Sequence, residues 1–198
     1  MSTPKLFQPL RVGLMELKHR VVMAPLTRFR ADSDHVHTEM AVEYYRQRAS
    51  TPGTLIISEA TLISEKAGSY AKVPGIWNQA QIDAWKKVTD AVHAEGSYIY
   101  AQLWALGRTA DPNELKKDGF DLVSASALRL DDAHPVPRPL TIEEIEEYTR
   151  DFATAAQNAI KAGFDGVEVH NANGYVFPTS CVLHSCPRNS ADILKIPT

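Results

Sequence analysis

The chain has 198 residues, 44% of them hydrophobic and 23% charged, a composition suited to a globular domain that buries roughly 70% of its unfolded surface. A net charge of −3 gives no electrostatic support for a nucleic-acid or anionic-membrane partner, and no apolar run reaches the length of a membrane span. The opening MSTPKLFQPL lacks the basic-then-apolar pattern of a secretion signal, so a cytoplasmic enzyme or binding protein is expected.

In chain order, LFQPLRVGLMELKHR reads as a β-hairpin placed before the first main strand, VVMAPL at 21–26. A helical stretch, TEMAVEYYRQRAS, separates it from the second strand, TLIISEA at 54–60. The next helix, NQAQIDAWKKVTDAVHAEG, sets Ile82, Trp85, Val88 and Val92 on one face and offers Gly96 as its stop. The third strand is YIYAQLW at 98–104, followed by a Pro-, Asp- and Lys-rich stretch, 107–140, that reads as an elaborated loop. A further helix begins at Thr141, where Glu144 completes a capping box, and carries Ile145, Tyr148, Phe152, Ala155, Ala156 and Ala159 as its inner stripe until Gly163. The fourth strand is GVEVH at 166–170.

These strands are almost continuously apolar, which predicts a parallel sheet buried on both faces. The order β-α-β-α-β-α-β fits either an open doubly wound sheet or a (β/α) barrel. A dinucleotide-binding sheet needs a glycine-rich turn after its first strand, yet this chain has APLTRFRA there. Polar side chains recur just past the strand ends instead: Thr27 and Arg28, Glu59, Gln102, then His170, Asn173 and Tyr175. Barrel enzymes place their chemistry on that face, so the expected fold is α/β, the N-terminal half of a TIM (β/α)8 barrel, with four parallel strands and their helices behind a short β-hairpin.

The motifs MAPLTRFRA, EYYRQRAS, GTLIISEA, VPGIWNQAQ, AQLWALGR and GFDGVEVHNANGY, together and in this order, resemble the Old Yellow Enzyme family in its fungal form. That family comprises FMN-dependent NAD(P)H dehydrogenases and ene-reductases. The motifs leave open a narrower likeness to the chanoclavine-I aldehyde reductase branch of ergot-alkaloid pathways. The resemblance implies FMN as cofactor, NADPH as reductant and a small enone or enal as substrate. It implies that Pro25, Leu26 and Thr27 line the flavin, with the Thr27 hydroxyl donating to a ring carbonyl. Ala60 would lie beside the ring and Gln102 would meet its pyrimidine edge. His170 and Asn173 would grip the substrate carbonyl, His170 also bordering the flavin, and Tyr175 would deliver a proton to the substrate α-carbon.

The chemistry gives its own reasons for these residue types. Reducing an activated C=C builds enolate charge on oxygen, which two aimed donors stabilise, and a nearby phenol can protonate the carbanion. Each residue also has a plainer reading: His170 as a structural strand-end histidine, Tyr175 as a core aromatic, Thr27 as a cap, and Gln102 as a partner for a backbone amide. Trp104 and the Glu-Tyr-Tyr stretch read as packing. The HVH at 35–37 and the group Cys181, His184 and Cys186 lack a matching second pair, so no metal site is expected, and two cysteines make no disulfide framework.

After HNANGY the sequence turns to VFPTSCVLHSCPRNSADILKIPT, in which Pro178, Pro187 and Pro197 would interrupt a helix. The resemblance therefore divides the chain into a partial flavin-oxidoreductase barrel, 1–175, and a divergent, disordered tail, 176–198. The family's flavin-side arginine and its glycine-rich phosphate site would fall in strands beyond these. The expectation is a truncated, inactive family member whose open barrel edges invite self-association. A noncatalytic half-barrel partner, or an active reductase whose sequence stops short, remain the alternatives.

Overall fold

The computed structural model describes residues 3–68 and 70–176. Strands β1 (Leu10–Val12) and β2 (Met15–Leu17) form an antiparallel hairpin that pairs Leu10 with Leu17 and Val12 with Met15. The main body follows as β3 (Val22–Met23), α1 (Glu39–Ala49), β4 (Leu55–Leu62), α2 (Gln79–Ala94) and β5 (Tyr98–Trp104). It continues through α3 (Pro112–Lys117), β6 (Val123–Ser124), β7 (Arg138–Pro139), α4 (Ile142–Lys161) and β8 (Gly166–Val169). One parallel sheet runs in the order β3-β4-β5-β8.

Side-chain alternation along β5 sorts the two faces of this sheet. Ile99, Ala101 and Leu103 are fully buried against the helix layer, together with Ile56 of β4 and Trp85, Val88 and Val92 of α2. Tyr98, Tyr100 and Gln102 alternate with them and face the other way. The hairpin covers the lower part of that second face, where Met15 and Leu17 pack on Leu55, Tyr98 and Tyr100. It closes the end of the sheet from which the strands start. Gly166 of β8 sits opposite Tyr100, and a Cβ there would stand 2.5 Å from the tyrosine ring, so a side chain at 166 would push that ring aside.

The helices begin where the sequence says they should. Thr141 accepts from the Glu144 amide at 3.2 Å while Glu144 returns a bond to the Thr141 amide at 2.8 Å. Asn78 and Gln81 make the same reciprocal cap on α2. The inner stripe of α4 holds at Tyr148, Phe152, Ala155 and Ala159, all buried, whereas Ala156 is half-buried and Ile145 is 37% exposed. The stretch 107–140 is more ordered than a loop. Asp111 caps α3, whose first residue is Pro112, and β6 and β7 form a small parallel sheet.

The outer strands depart from the expectation of burial on both faces. The first strand narrows from 21–26 to Val22–Met23, since Pro25 has no N–H to donate and, among the described residues, β3 pairs on one side only. Val22 is 40% exposed, and on the opposite edge Val169 is 42% exposed. Among the described residues no helix is long and apolar enough to cross a membrane, and no His, Cys, Asp and Glu group is arranged to hold a metal ion. Cys181, Cys186 and the tail from residue 177 lie outside the described residues.

Candidate active site

Because the four strands are parallel, their C-terminal ends share one rim. Thr27 lies beyond β3, Ala60 and Gln102 near the ends of β4 and β5, and His170 directly after β8. Pro25 and Thr27 are half-buried and Leu26 is 49% exposed. Strand register lines up Ala60, Gln102 and Glu168 side by side. Ala60 and Gln102 are buried, and the Gln102 Nε2 donates to Glu168 Oε1 at 2.6 Å. A carboxylate can only accept, so this bond fixes the amide: nitrogen toward Glu168, oxygen left as an acceptor. The Gln102 backbone N–H donates to Ser58 Oγ at 3.1 Å.

The segment from 170 to 176 is pinned to the end of β5 at both ends. The His170 amide donates to the Leu103 carbonyl at 2.9 Å and the Val176 amide to the Ala105 carbonyl at 3.2 Å. Between these anchors Asn173 and Gly174 both take left-handed backbone, φ 59° and 82°, and the Tyr175 amide closes onto the Ala172 carbonyl at 3.3 Å. Two consecutive positive φ values across such a bond make the tight turn for which Asn-Gly is the favoured pair. The turn folds Tyr175 back on His170, with ring centroids 4.7 Å apart and planes at 80°. Asn173 stands exposed at its tip.

The His170 Nδ1 accepts the Ala172 amide at 3.4 Å, which leaves the ring proton on Nε2, free to donate. Partial burial lowers the His170 pKa, with the Glu168 charge opposing, so the ring is a neutral donor at physiological pH. Burial raises the Tyr175 pKa, with Tyr70 adding to the effect, so its phenol stays protonated. Tyr175 stacks edge-on to Trp104 at 5.0 Å, and Trp104 in turn meets Tyr70 at 6.0 Å. Among the described residues the buried Trp104 Nε1 has no hydrogen-bond partner. A cleft of about 730 Å³ lined by His35, Tyr70, Trp77 and Glu114 lies beside this wall and shares only Tyr70 with it.

Glu59 does not join this rim. Its carboxyl is buried beneath α1, where it accepts from the Tyr45 hydroxyl at 3.4 Å and the Arg28 amide at 3.0 Å, 3.7 Å from His37. Burial raises its pKa. Tyr45 is thus more than packing, and His37 is a core residue lying edge-on to Trp85 at 4.2 Å. Sequence reasoning missed Glu168, although its signal was present: an acidic residue between two valines on a strand, at the same parity as the polar position of its neighbour. It also missed the Asn-Gly turn, whose dipeptide is the strongest local turn signal available.

Residues 5–180 match the model of the NADH:flavin oxidoreductase / NADH oxidase family. The chain is 63% identical over 172 residues to the NADP-dependent oxidoreductase lnbE of Aspergillus flavus, covering 87% of this chain and 46% of that protein. It is 59% identical to the chanoclavine-I aldehyde reductase fgaOx3 of Penicillium roqueforti, covering 87% of this chain and 47% of that one. It is 54% identical to the "Probable inactive reductase easA" of Epichloe festucae var. lolii, covering 89% and 47%. An Old Yellow Enzyme crystal structure from Pichia sp. superposes with a TM-score of 0.84 at 44% identity, covering 89% of this chain and 48% of that one. The chain spans about half the length of the curated relatives it matches.

Proposed function

The chain belongs to the NADH:flavin oxidoreductase / NADH oxidase family, and from that premise we propose that it carries the carbonyl-gripping and proton-donating half of an ene-reductase site. The observation that supports this most is the Asn-Gly turn, which sets a neutral His170 donor, the exposed Asn173 amide and a protonated Tyr175 phenol within one anchored segment. His170 Nε2–H and the Asn173 amide donate together to the substrate carbonyl oxygen and stabilise the enolate charge that grows there. Tyr175 delivers its proton to the α-carbon and regains one from solvent.

Two features suit FMN at the rim. The Gln102 side-chain oxygen, held outward by Glu168, is an acceptor matched to the ring-imide N–H of a flavin. The small Ala60 beside it leaves room for a flat ring. Pro25, Leu26 and Thr27 would border the ring from β3, and His170 from β8. The flavin, when bound, supplies the hydride, with NADPH as the source of electrons.

The described strands do not close around a ring, and Val22 and Val169 stay exposed on the two edges. These 198 residues alone are therefore inactive, a reading in line with the name of the easA relative. Purified chain leaves NADPH unoxidised when an enone is present. A fusion of residues 1–175 to the second half of the lnbE relative regains that reaction. In the fusion, replacing His170 and Asn173 together with alanine weakens binding of phenols, which mimic the enolate. Unchanged phenol affinity in that variant sinks the assignment.

A further inference from the structure

Glu59 is a buried carboxyl with no place in the hydride and proton chemistry. Along β4 the register with β5 slips between Ile57, paired with Tyr100, and Ala60, paired with Gln102. Three steps on β4 therefore span two on β5, the mark of a β-bulge, a device that re-aims a side chain beside a site. The bulge leaves Ala60 beside Gln102 and turns Glu59 under α1, where Glu59 is 2% exposed and Tyr45 is fully buried.

Three hydrogen bonds hold Glu59 there. Its backbone N–H donates to the Tyr45 hydroxyl at 2.8 Å, and that hydroxyl donates back to Glu59 Oε1 at 3.4 Å. The second oxygen, Oε2, accepts the Arg28 N–H at 3.0 Å. His37 Nε2 lies 3.7 Å from Oε1, and burial keeps that ring neutral at physiological pH. Burying a carboxyl without a charged partner bonded to it is costly. A leucine would fill similar space without that cost, but it could not accept the Arg28 N–H.

That N–H belongs to the peptide plane joining Thr27 to Arg28. Between Leu26 and Arg30 it is the only backbone N–H with a hydrogen bond among the described residues. The next residue, Phe29, takes left-handed backbone at φ 53° with its side chain 54% exposed. A bulky residue rarely adopts that conformation, which persists only when its surroundings over-determine it. Glu59 supplies the constraint on one side of Phe29, and on the other the Ala31 N–H donates to the Lys72 carbonyl at 3.1 Å.

We propose that Glu59 is a positioning residue: by holding the Arg28 N–H it fixes the Thr27–Arg28 peptide plane, and through it the Thr27 hydroxyl on the flavin rim, while Tyr45 locks the carboxyl from beneath. The link to flavin rests on the reading of Thr27 as its neighbour; the hold of Glu59 on the loop does not.

Amide hydrogen exchange in the 198-residue chain, followed by NMR, tests the hold. Glu59→Leu is expected to speed exchange of the Arg28 N–H about tenfold or more, the loss of one bond to a charged acceptor. The Ile99 N–H, which donates to Asp165 at the sheet centre, keeps its wild-type rate. Glu59→Gln keeps an oxygen for Arg28 and restores slow exchange. Tyr45→Phe, which removes a hydroxyl alone, speeds the Arg28 amide by a smaller factor and decides the matter if the leucine variant does not fold. Unchanged Arg28 exchange in a folded Glu59→Leu or Tyr45→Phe chain, or acceleration shared equally by Ile99, overturns the proposal. In the fusion with the second half of lnbE, FMN titration reads the rim. Glu59→Leu and Thr27→Ala each raise the FMN dissociation constant about tenfold, and the double variant is no worse than either, because both act at one hydroxyl. Losses that multiply in the double variant overturn the route through Thr27. A Thr27→Ala fusion that binds FMN as tightly as wild type breaks the flavin reading of Thr27, and the exchange rates alone then decide the hold of Glu59 on the loop.

Discussion

The centre and the edges of one sheet show how far a strand's burial depends on its neighbours. In β4 and β5, Ile56, Ile99, Ala101 and Leu103 are fully buried. In β3 and β8, equally apolar by sequence, Val22 and Val169 are 40% and 42% exposed. The side chains are alike in kind; what differs is whether a strand and a covering helix lie on both sides. Apolar character says that a residue seeks cover, and only topology says whether it finds it.

Stability should follow that contrast. Trp85, 1% exposed, packs between His37, Tyr45 and Phe164 and donates its indole N–H to the Gly75 carbonyl at 3.2 Å. Trp85→Ala should cost about 3–5 kcal/mol, enough to unfold a marginal chain. Val169→Ala on the edge should cost less than about 1 kcal/mol. Equal losses in urea denaturation would break the comparison.

The centre also carries an acid sensitivity. Burial lowers the His37 pKa from 6.5 to about 4, with Asp32 opposing, and among the described residues neither ring nitrogen has a hydrogen-bond partner. The unfolded chain therefore binds this proton first as pH falls. The stabilising effect of a neutral His37 is complete above the unfolded value of 6.5 and is lost as pH falls toward about 4. That loss is on the order of 3 kcal/mol. His37→Gln should flatten the stability profile between those values, and an undiminished acid slope in the variant would contradict the assignment.

A smaller effect sharpens the border between centre and edge. Glu168 on β8 holds the Gln102 amide of β5. Glu168→Ala should cost roughly 1–2 kcal/mol by leaving a buried amide without its acceptor. Glu168→Gln should recover part of this, because its carbonyl oxygen can still accept. If both variants match wild type in thermal melting, the bond carries no weight in the fold.

What was legible in the sequence divides along the same line. The Thr141 capping box, the α2 stripe and the two central strands needed only local information, and the family motifs ordered them. The length of β3 did not follow from VVMAPL, because a strand end depends on pairing and Pro25 removes a donor. The exposure of Ile145 depends on what lies outside α4, which helical spacing does not reveal. The Gln102–Glu168 bond needed the register of β5 against β8. Glu59 was misread as a rim residue because the irregularity in β4 between Ile57 and Ala60 shifts the alternation there.

The central claim is that the donors and the proton source are in place while the flavin needs a complement that closes the sheet. The most direct measurement is a visible-absorption titration of FMN into the purified 198-residue chain, repeated with the fusion that supplies the second half. The chain alone should leave the spectrum of free FMN unshifted and emerge from gel filtration colourless. The fusion should elute yellow, with the flavin bands shifted and a new long-wavelength band when a phenol is added. Yellow, phenol-responsive protein from the unmodified chain would contradict the account.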